Sequence, residues 1–129
     1  MRYQLLRSVL IVDDNPVVRK ALCELFTREE EFDVRGEAEN GQDALERAQQ
    51  LSPDLIVTDL SMPVMNGLEE TRLLRQFMPA VPVIIYTAYN NQFIEKEARA
   101  AGASAVISKS EPIARLLETA RSLLAELAA

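Results

Sequence analysis

Carboxylate side chains follow two of the apolar runs in this sequence. Asp13 and Asp14 come directly after the run at residues 8–12, and Asp59 ends the run at residues 55–59. Carboxylates packed together raise one another's pKa and destabilise a fold unless a cation neutralises them. Oxygen ligands of this kind suit Mg²⁺ or Mn²⁺, which typically take one or two carboxylates together with phosphate oxygens. A carboxylate that also served as nucleophile would form an aspartyl phosphate.

A hydroxyl and an ammonium group occupy comparable positions after two further runs. Thr87 ends the fourth run and Lys109 follows the fifth. Taken singly, an aspartate after a strand is usually a turn former or a helix cap, and a terminal threonine is simply a good strand residue. Together, the carboxylates and the ammonium group suit phosphoryl transfer, because a lysine neutralises charge on the transferring group.

Five short apolar runs alternate with segments of helical periodicity, and these elements must position the polar residues. The runs predict strands over residues 8–12, 33–38, 55–59, 83–87 and 105–108. The other segments predict helices over about residues 16–28, 42–50, 68–77, 91–101 and 111–127. This alternation implies right-handed crossovers and a parallel sheet covered on both faces. The second run alternates apolar and polar residues, which places it at the sheet edge.

The predicted architecture is a five-stranded, doubly wound α/β sheet with five helices, in one domain over residues 1–129. In such sheets, ligands bind beyond the carboxyl ends of the strands, where the strand order reverses. The polar residues after the strands are therefore expected to converge on one edge. Asp14 or Asn15 is also expected to cap the first helix.

Composition excludes several classes of function. The chain has no histidine, which rules out Ser-His-Asp and Cys-His nucleophilic systems and histidine-ligated zinc. Cys23 lies in an apolar helical pattern and is predicted to be a buried structural thiol. A net charge of −6 would repel a phosphate backbone, so no nucleic-acid binding is expected. No stretch approaches the ~20 apolar residues of a membrane span, and Arg2 and Arg7 interrupt the start. We expect no membrane partner and a cytoplasmic location.

The positions that carry a family resemblance are Asp13, Asp14, Asp59, Thr87 and Lys109. Their spacing, with the segment DLSMPVMNG after the third strand, resembles the receiver domain of two-component response regulators. The resemblance covers residues 8 to about 124 and implies a flavodoxin-like strand order, 2-1-3-4-5. It implies a conformational switch in signal transduction. Such a domain is not a conventional enzyme, but it takes part in its own phosphotransfer and autodephosphorylation.

The resemblance also implies a role for each site residue. Asp59 would accept a phosphoryl group from the phosphohistidine of a sensor histidine kinase or a phosphotransfer protein. Asp14 and Asp59 would bind Mg²⁺ or Mn²⁺ directly with the backbone carbonyl of Ser61, and Asp13 would help through water. Thr87 would donate a hydrogen bond to a phosphoryl oxygen, and Lys109 would pair with the phosphate.

Two departures from the family pattern leave an alternative open. Val106 stands where the family usually carries Tyr or Phe, and Tyr86 or Tyr89 is a candidate substitute. Lys109 precedes Ser110 rather than the frequent proline, at a peptide bond that is cis in the family. The alternative is a receiver-like interaction module that signals without phosphorylation. A flavin-binding electron carrier is disfavoured, because the first turn is acidic and lacks a phosphate-cradling loop.

The apolar residues of the last helix bear on how the domain would bind a partner. A core stripe is predicted at Ile113, Leu117, Ala120, Leu124 and Leu127. Leu116 and Leu123 either widen this buried face or join the fourth helix in a surface for a homodimer or an output domain. The segment after Asp59 looks most like receivers that precede a helix-turn-helix DNA-binding domain.

Overall fold

A parallel five-stranded sheet forms the centre of the computed structural model, which describes residues 6–128. Arg2 lies outside the described residues. The strands are β1 (Arg7–Val12), β2 (Phe32–Ala38), β3 (Leu55–Thr58), β4 (Val83–Thr87) and β5 (Ala105–Ser108). All neighbouring pairs are parallel, in the order β2-β1-β3-β4-β5. The doubly wound architecture and the edge position of the second strand are confirmed.

Helices cover both faces of this sheet, and asparagine begins four of them. The helices are α1 (Pro16–Thr27), α2 (Gly41–Leu51), α3 (Gly67–Phe77), α4 (Gln92–Ala101) and α5 (Ala114–Ala128). The asparagine side chains that accept backbone N–H groups as N-caps are Asn15, Asn40, Asn66 and Asn91. Asn15, not Asp14, therefore caps α1. Gly102 ends α4 with a φ of 108°, a backbone conformation that favours glycine.

The hydrophobic core has two sides because successive strand residues point to opposite faces. Val9 and Ile11 of β1 pack with buried residues of α1 and α5. Leu10 and Val12 pack on the other side, with residues of α2 and α3. The central strands are thus buried on both faces, which explains their unbroken apolar runs. No helix within residues 6–128 is long and apolar enough to cross a membrane.

The last helix begins at Ala114, so the predicted start at Glu111 is wrong. Pro112 disfavours a helical conformation at the residue before it. The Glu111 side chain instead accepts a hydrogen bond from the Ser108 amide at 3.0 Å. The Arg115 amide donates to the Pro112 carbonyl at 2.9 Å, which makes a tighter turn before the regular helix.

The buried face of α5 also differs from the prediction. The buried residues are Leu116, Leu117, Ala120 and Leu124. Ile113 is 47% exposed and precedes the helix, and Leu127 is 55% exposed, so their assignment to the core is wrong. Leu116 is fully buried, which overturns its interpretation as a docking residue, and Leu123 is half-buried against the core. Ile113 lies in the turn before the helix and so does not share its buried face. Leu117, Ala120 and Leu124 remain in the core as predicted, and Leu116 joins them.

Cys23 is half-buried at the edge of the core rather than fully buried. Burial raises the pKa of its thiol to about 11, and the nearby Glu37 adds to the shift. The thiol is therefore protonated near neutral pH. This agrees with the predicted unreactive structural role, although the side chain is less enclosed than expected.

Candidate functional site

Backbone pairing continues one residue beyond three of the strands and positions the polar residues. The Asp59 amide donates to the Val12 carbonyl at 3.0 Å, and the Lys109 amide donates to the Thr87 carbonyl at 2.7 Å. The Asp13 amide likewise donates to the carbonyl at the end of β2, at 3.1 Å. These residues therefore meet at the carboxyl edge of the sheet. β1 and β3 are neighbours there, where the strand order reverses.

Three carboxylates form a compact cluster at this edge. One oxygen from each of Asp13, Asp14 and Asp59 can be chosen so that all lie within 4.8 Å of one another. Asp13 and Asp59 are buried, whereas Asp14 is exposed. The donor set contains only oxygen and has one solvent-facing member. These properties fit Mg²⁺, which prefers oxygen ligands and keeps several waters.

Lys109 places its ammonium group against the buried carboxylates. Its Nζ atom lies 3.0 Å from Asp13 Oδ2 and 3.4 Å from Asp59 Oδ2. Burial acts to lower the pKa of Lys109, but the hydrogen bond with Asp13 and the charge of Asp59 outweigh it and raise the pKa above its ordinary value. Lys109 is therefore a fixed positive charge at neutral pH.

The Asp59 carboxylate is oriented by the backbone amide of the next residue. The Leu60 amide donates to Asp59 Oδ1 at 2.7 Å, while Oδ2 faces Lys109. Burial raises the pKa of Asp59; the Lys109 ammonium opposes this shift, and the Asp13 carboxylate adds to it. One carboxylate oxygen is thus held by an N–H group, and the other lies among the charged groups of the site.

Asp13 is fixed by groups at the start of α1 and at its N-cap that sequence reasoning did not identify. The Asn15 amide donates to Asp13 Oδ1 at 2.9 Å. Arg19 Nη1 donates to the Asp13 carbonyl at 2.7 Å, and its Nε atom pairs with Glu37 at 3.1 Å. The position of Arg19, in the first turn of the helix after Asp13, is the sequence signal that would have indicated this contact.

The loop between β3 and α3 is closely packed against the acceptor. A Cβ atom on Gly67 would lie 2.2 Å from the Asp59 carbonyl oxygen, so only glycine fits here. The Gly67 amide donates to the Leu60 carbonyl at 2.9 Å, which closes the loop. Ser61 is exposed on this loop. Val64 is 81% exposed and adopts a φ of 68°, in the left-handed region that a β-branched residue disfavours.

Thr87 is buried at the end of β4, and its hydroxyl oxygen accepts a hydrogen bond from the Tyr89 amide at 3.1 Å. Its own hydrogen remains available to a ligand. Val106 packs beside Ile85, whereas Tyr86 belongs to the core on the opposite face of the sheet. Tyr86 therefore cannot take the place of an aromatic residue at position 106. Tyr89 is 68% exposed.

The backbone around Lys109 is regular. Residues 6–128 contain no cis peptide bond, so the bond between Lys109 and Ser110 is trans in the structure. This differs from the cis bond that the family resemblance suggested. Serine retains the usual strong preference for trans at this position.

Glu70 is a further residue that sequence reasoning missed. It is fully buried on the inner face of α3, where the buried residues are Gly67, Glu70, Thr71 and Leu74. Burial raises the pKa of the Glu70 carboxyl to about 8, against the opposing hydrogen bond with Thr58. The spacing of three and four residues along the buried face is the signal that would have identified it.

Comparisons with known proteins agree with this geometry. The family model for the response regulator receiver domain matches residues 9–121. The transcriptional regulatory protein LnrK of Bacillus subtilis is 39% identical over 102 residues, covering 79% of this chain and 46% of that protein. This chain therefore spans about half the length of that curated relative.

Solved structures give the same correspondence. A two-component response regulator of the LuxR family from Aurantimonas sp. is 31% identical, with a TM-score of 0.90 over 94% of this chain and 86% of that one. The CheX–CheY complex with BeF3 and Mg from Borrelia burgdorferi includes a chain that is 27% identical. The TM-score is 0.86, over 92% of this chain and 90% of that one.

Proposed function

The chain belongs to the response regulator receiver domains of two-component systems, and from this we propose that Asp59 accepts a phosphoryl group from the phosphohistidine of a sensor histidine kinase or a phosphotransfer protein. The observation that carries the proposal is the environment of the Asp59 carboxylate. Its oxygen lies within 4.8 Å of the Asp13 and Asp14 carboxylate oxygens, and its Oδ2 lies 3.4 Å from the Lys109 ammonium. This combination suits an anionic nucleophile and an anionic transferring group.

In the proposed transfer, an Asp59 carboxylate oxygen attacks the phosphorus atom of the phosphohistidine. The new O–P bond forms as the N–P bond breaks, and the electron pair of that bond stays on the imidazole nitrogen, which takes up a proton. Asp59 must be ionised to attack, so its proximity to the positive charge of Lys109 favours the reactive form. The Leu60 amide, 2.7 Å from Oδ1, limits the rotation of the carboxylate.

Mg²⁺ is the proposed cofactor, and Mn²⁺ has the same ligand preferences. The Asp14 and Asp59 carboxylates and the backbone carbonyl of Ser61 would hold it, with Asp13 acting through water. When bound, the ion would neutralise negative charge on the transferring phosphoryl group. The similarity to the Borrelia burgdorferi chain, solved in a complex with BeF3 and Mg, supports this assignment.

In the proposed phosphorylated state, Thr87 and Lys109 bind the phosphoryl group. The Thr87 hydroxyl would donate to a phosphoryl oxygen, and the Lys109 ammonium would pair with another. Movement of Thr87 toward the phosphate would shift the loop beginning at Ala88 and change the population of states that bind a partner. An output domain or a second copy at α4 and α5 is the proposed recipient; Phe93, 72% exposed on α4, is available for such contacts.

Phosphorylation by acetyl phosphate with Mg²⁺ tests the assignment. We expect intact-mass measurement to show one added phosphoryl group on the wild type and on Asp33→Asn, a control at the opposite end of the sheet. Asp59→Asn should show none. Equal labelling of Asp59→Asn would refute the acceptor assignment. A wild type that takes no phosphate under these conditions would favour the alternative interaction module.

A further inference from the structure

A chain of close contacts links the interior of α3 to the backbone of the acceptor. The Thr58 hydroxyl oxygen lies 2.8 Å from Glu70 Oε1 and 3.2 Å from the carbonyl oxygen of Asp59. Thr58 and Glu70 are both fully buried. The next group along this chain is the peptide plane between Asp59 and Leu60, which carries the Asp59 carbonyl.

The same peptide plane orients the acceptor carboxylate. Its carbonyl faces Thr58, and its N–H group donates to Asp59 Oδ1 at 2.7 Å. A rotation of this plane would move both groups together, because a peptide unit is rigid. Fixing the carbonyl therefore fixes the donor that holds the carboxylate.

The number of hydroxyl and carboxyl hydrogens on Thr58 and Glu70 determines which hydrogen bonds this series of contacts can contain. Thr58 has one hydroxyl hydrogen and two acceptors within reach. If Glu70 were ionised, the hydroxyl would donate to Oε1 and the Asp59 carbonyl would lose its partner. If Glu70 is protonated at Oε1, it donates to Thr58, and Thr58 is free to donate to Asp59.

The surroundings of Glu70 favour the protonated form. Among the buried side-chain oxygen and nitrogen atoms of residues 6–128, Glu70 Oε2 is the one that has no hydrogen-bond partner. A negative charge on an unpaired buried oxygen is far more costly than a neutral carbonyl there. Burial raises the pKa of Glu70 to about 8, which agrees with this assignment.

No charged neighbour offsets the burial. Helix α3 contacts α2 and α4, and Asp59 follows β3. The ionisable residues of these three helices are Asp43, Glu46, Arg47, Glu69, Glu70, Arg72, Arg75, Glu95, Lys96, Glu97 and Arg99. The protonation of Glu70 responds to burial and to the Thr58 hydrogen bond, not to these charges.

We propose that Glu70 is a positioning residue for the acceptor: its protonated carboxyl acts through Thr58 to hold the Asp59–Leu60 peptide plane and thereby the Asp59 carboxylate. The inference rests on the proposed function of Asp59. It assigns a chemical role to a buried glutamic acid that lies outside the carboxylate cluster.

The test compares variants that differ in hydrogen donation at this point. Glu70→Gln retains an N–H donor toward Thr58. Glu70→Leu removes the group that orients the Thr58 hydroxyl but leaves that hydroxyl free to donate, whereas Thr58→Val removes the donor to the Asp59 carbonyl itself. Glu69→Gln is the matched control, because Glu69 is the adjacent, exposed glutamate. Circular dichroism first establishes that each variant is folded.

Phosphorylation by acetyl phosphate with Mg²⁺ is then followed by intact mass from about pH 6.5 to pH 9.5. At the lower pH we expect Thr58→Val to react about two- to tenfold more slowly than the wild type, the effect of one lost hydrogen bond. Glu70→Leu keeps the Thr58 hydroxyl without its orienting partner, so its rate should lie between those of Thr58→Val and the wild type. Glu70→Gln and Glu69→Gln should react at the wild-type rate. As the pH rises through 8, the pKa of Glu70, the wild type and Glu69→Gln should slow relative to Glu70→Gln.

A second readout does not depend on phosphate. The Leu60 amide resonance should move with pH around 8 in the wild type and in Glu69→Gln, but not in Glu70→Gln. The lack of histidine leaves little other side-chain titration in this range.

The outcomes separate the two proposals. If folded Thr58→Val reacts as fast as the wild type, or if the Leu60 resonance moves with pH in Glu70→Gln as it does in the wild type, the positioning role is wrong. If the wild type takes no phosphate at any pH, the proposed function fails, and the Leu60 resonance alone decides whether Glu70 holds the peptide plane.

Discussion

Glu70 should make the stability of the whole fold depend on pH. Burial raises its pKa from 4.5 to about 8 in the folded chain. Between these values, the folded chain keeps a proton that the unfolded chain has released. The stability contributed by this proton is complete below pH 4.5 and is lost as the pH rises to 8. We expect the free energy of unfolding to fall by up to about 1.4 kcal/mol per pH unit in this range.

Urea unfolding at a series of pH values measures this dependence. Glu70→Gln cannot release a proton and should show a shallower decline than the wild type. Glu69→Gln should follow the wild type, because Glu69 is exposed. If the free energy of unfolding falls with pH equally in the wild type and in Glu70→Gln, Glu70 is already ionised in the folded chain.

Residues of the site differ in how clearly the sequence indicates them. Asp13, Asp59 and Lys109 follow apolar runs, so the rule that parallel strands end at one edge places them together. Glu70 and Arg19 lie on helices, where charged residues ordinarily face solvent. Their roles depend on which helical face is buried and on the distance to the next strand. A single sequence specifies those features only loosely.

Gly67 allows α3 to begin directly against the backbone of the acceptor residue, Asp59. An alanine here would bring its Cβ to 2.2 Å from the Asp59 carbonyl oxygen, which is backbone and cannot turn aside. We expect Gly67→Ala to destabilise the fold by about 1–3 kcal/mol, as overpacking does, and to slow phosphorylation. Urea unfolding and the acetyl phosphate assay measure these effects.

Gly36 provides the control for that substitution. A Cβ at Gly36 would meet Leu51 Cδ1 at 2.6 Å, the end of a flexible side chain that can move. Alanine also loses less conformational entropy on folding than glycine does, which offsets the cost of moving Leu51. The net change in the free energy of unfolding should therefore stay within about 1 kcal/mol. Equal losses in the two variants would mean that the contact with Asp59 has no special effect.

The face by which α5 packs on the sheet leads to another prediction. Leu116 is fully buried, whereas Ile113 is 47% exposed before the helix begins. We expect Leu116→Ala to lower the free energy of unfolding by about 2–5 kcal/mol. Ile113→Ala should change it by no more than about 0.5 kcal/mol. Urea unfolding distinguishes this arrangement from the stripe predicted from the sequence, in which Ile113 is buried and its truncation would also cause a large loss.

Most element boundaries could be predicted because the sequence contains specific start and stop residues. Asn40 and Gly102 mark the start of α2 and the end of α4 through hydrogen bonding and backbone conformation. The start of α5 was missed because its apolar pattern extends back through Ile113 into the preceding turn. Pro112 could have been read as the signal that regular helix begins later.

Mg²⁺ should stabilise the fold against global unfolding, because the carboxylate cluster exists only when the strands are assembled. A ligand that binds only the folded chain adds about 2.7 kcal/mol at a hundredfold excess over its Kd. We expect urea unfolding to show such an increase when Mg²⁺ replaces EDTA. The combined variant Asp13→Asn with Asp59→Asn should lose most of it, and Asp33→Asn should retain it. An equal increase in the combined variant would place the ion elsewhere.

The backbone of Val64 affects how the acceptor loop is distributed among its conformations. A left-handed conformation raises the free energy of a residue with a side chain by roughly 1–2 kcal/mol. The arrangement with φ at 68° therefore costs that amount, and a loop conformation that relaxes Val64 recovers it. Such an energy corresponds to a population ratio of about 5 to 30. Val64 thus makes the loop easier to displace, and a bound ion or phosphoryl group needs less binding energy to rearrange it.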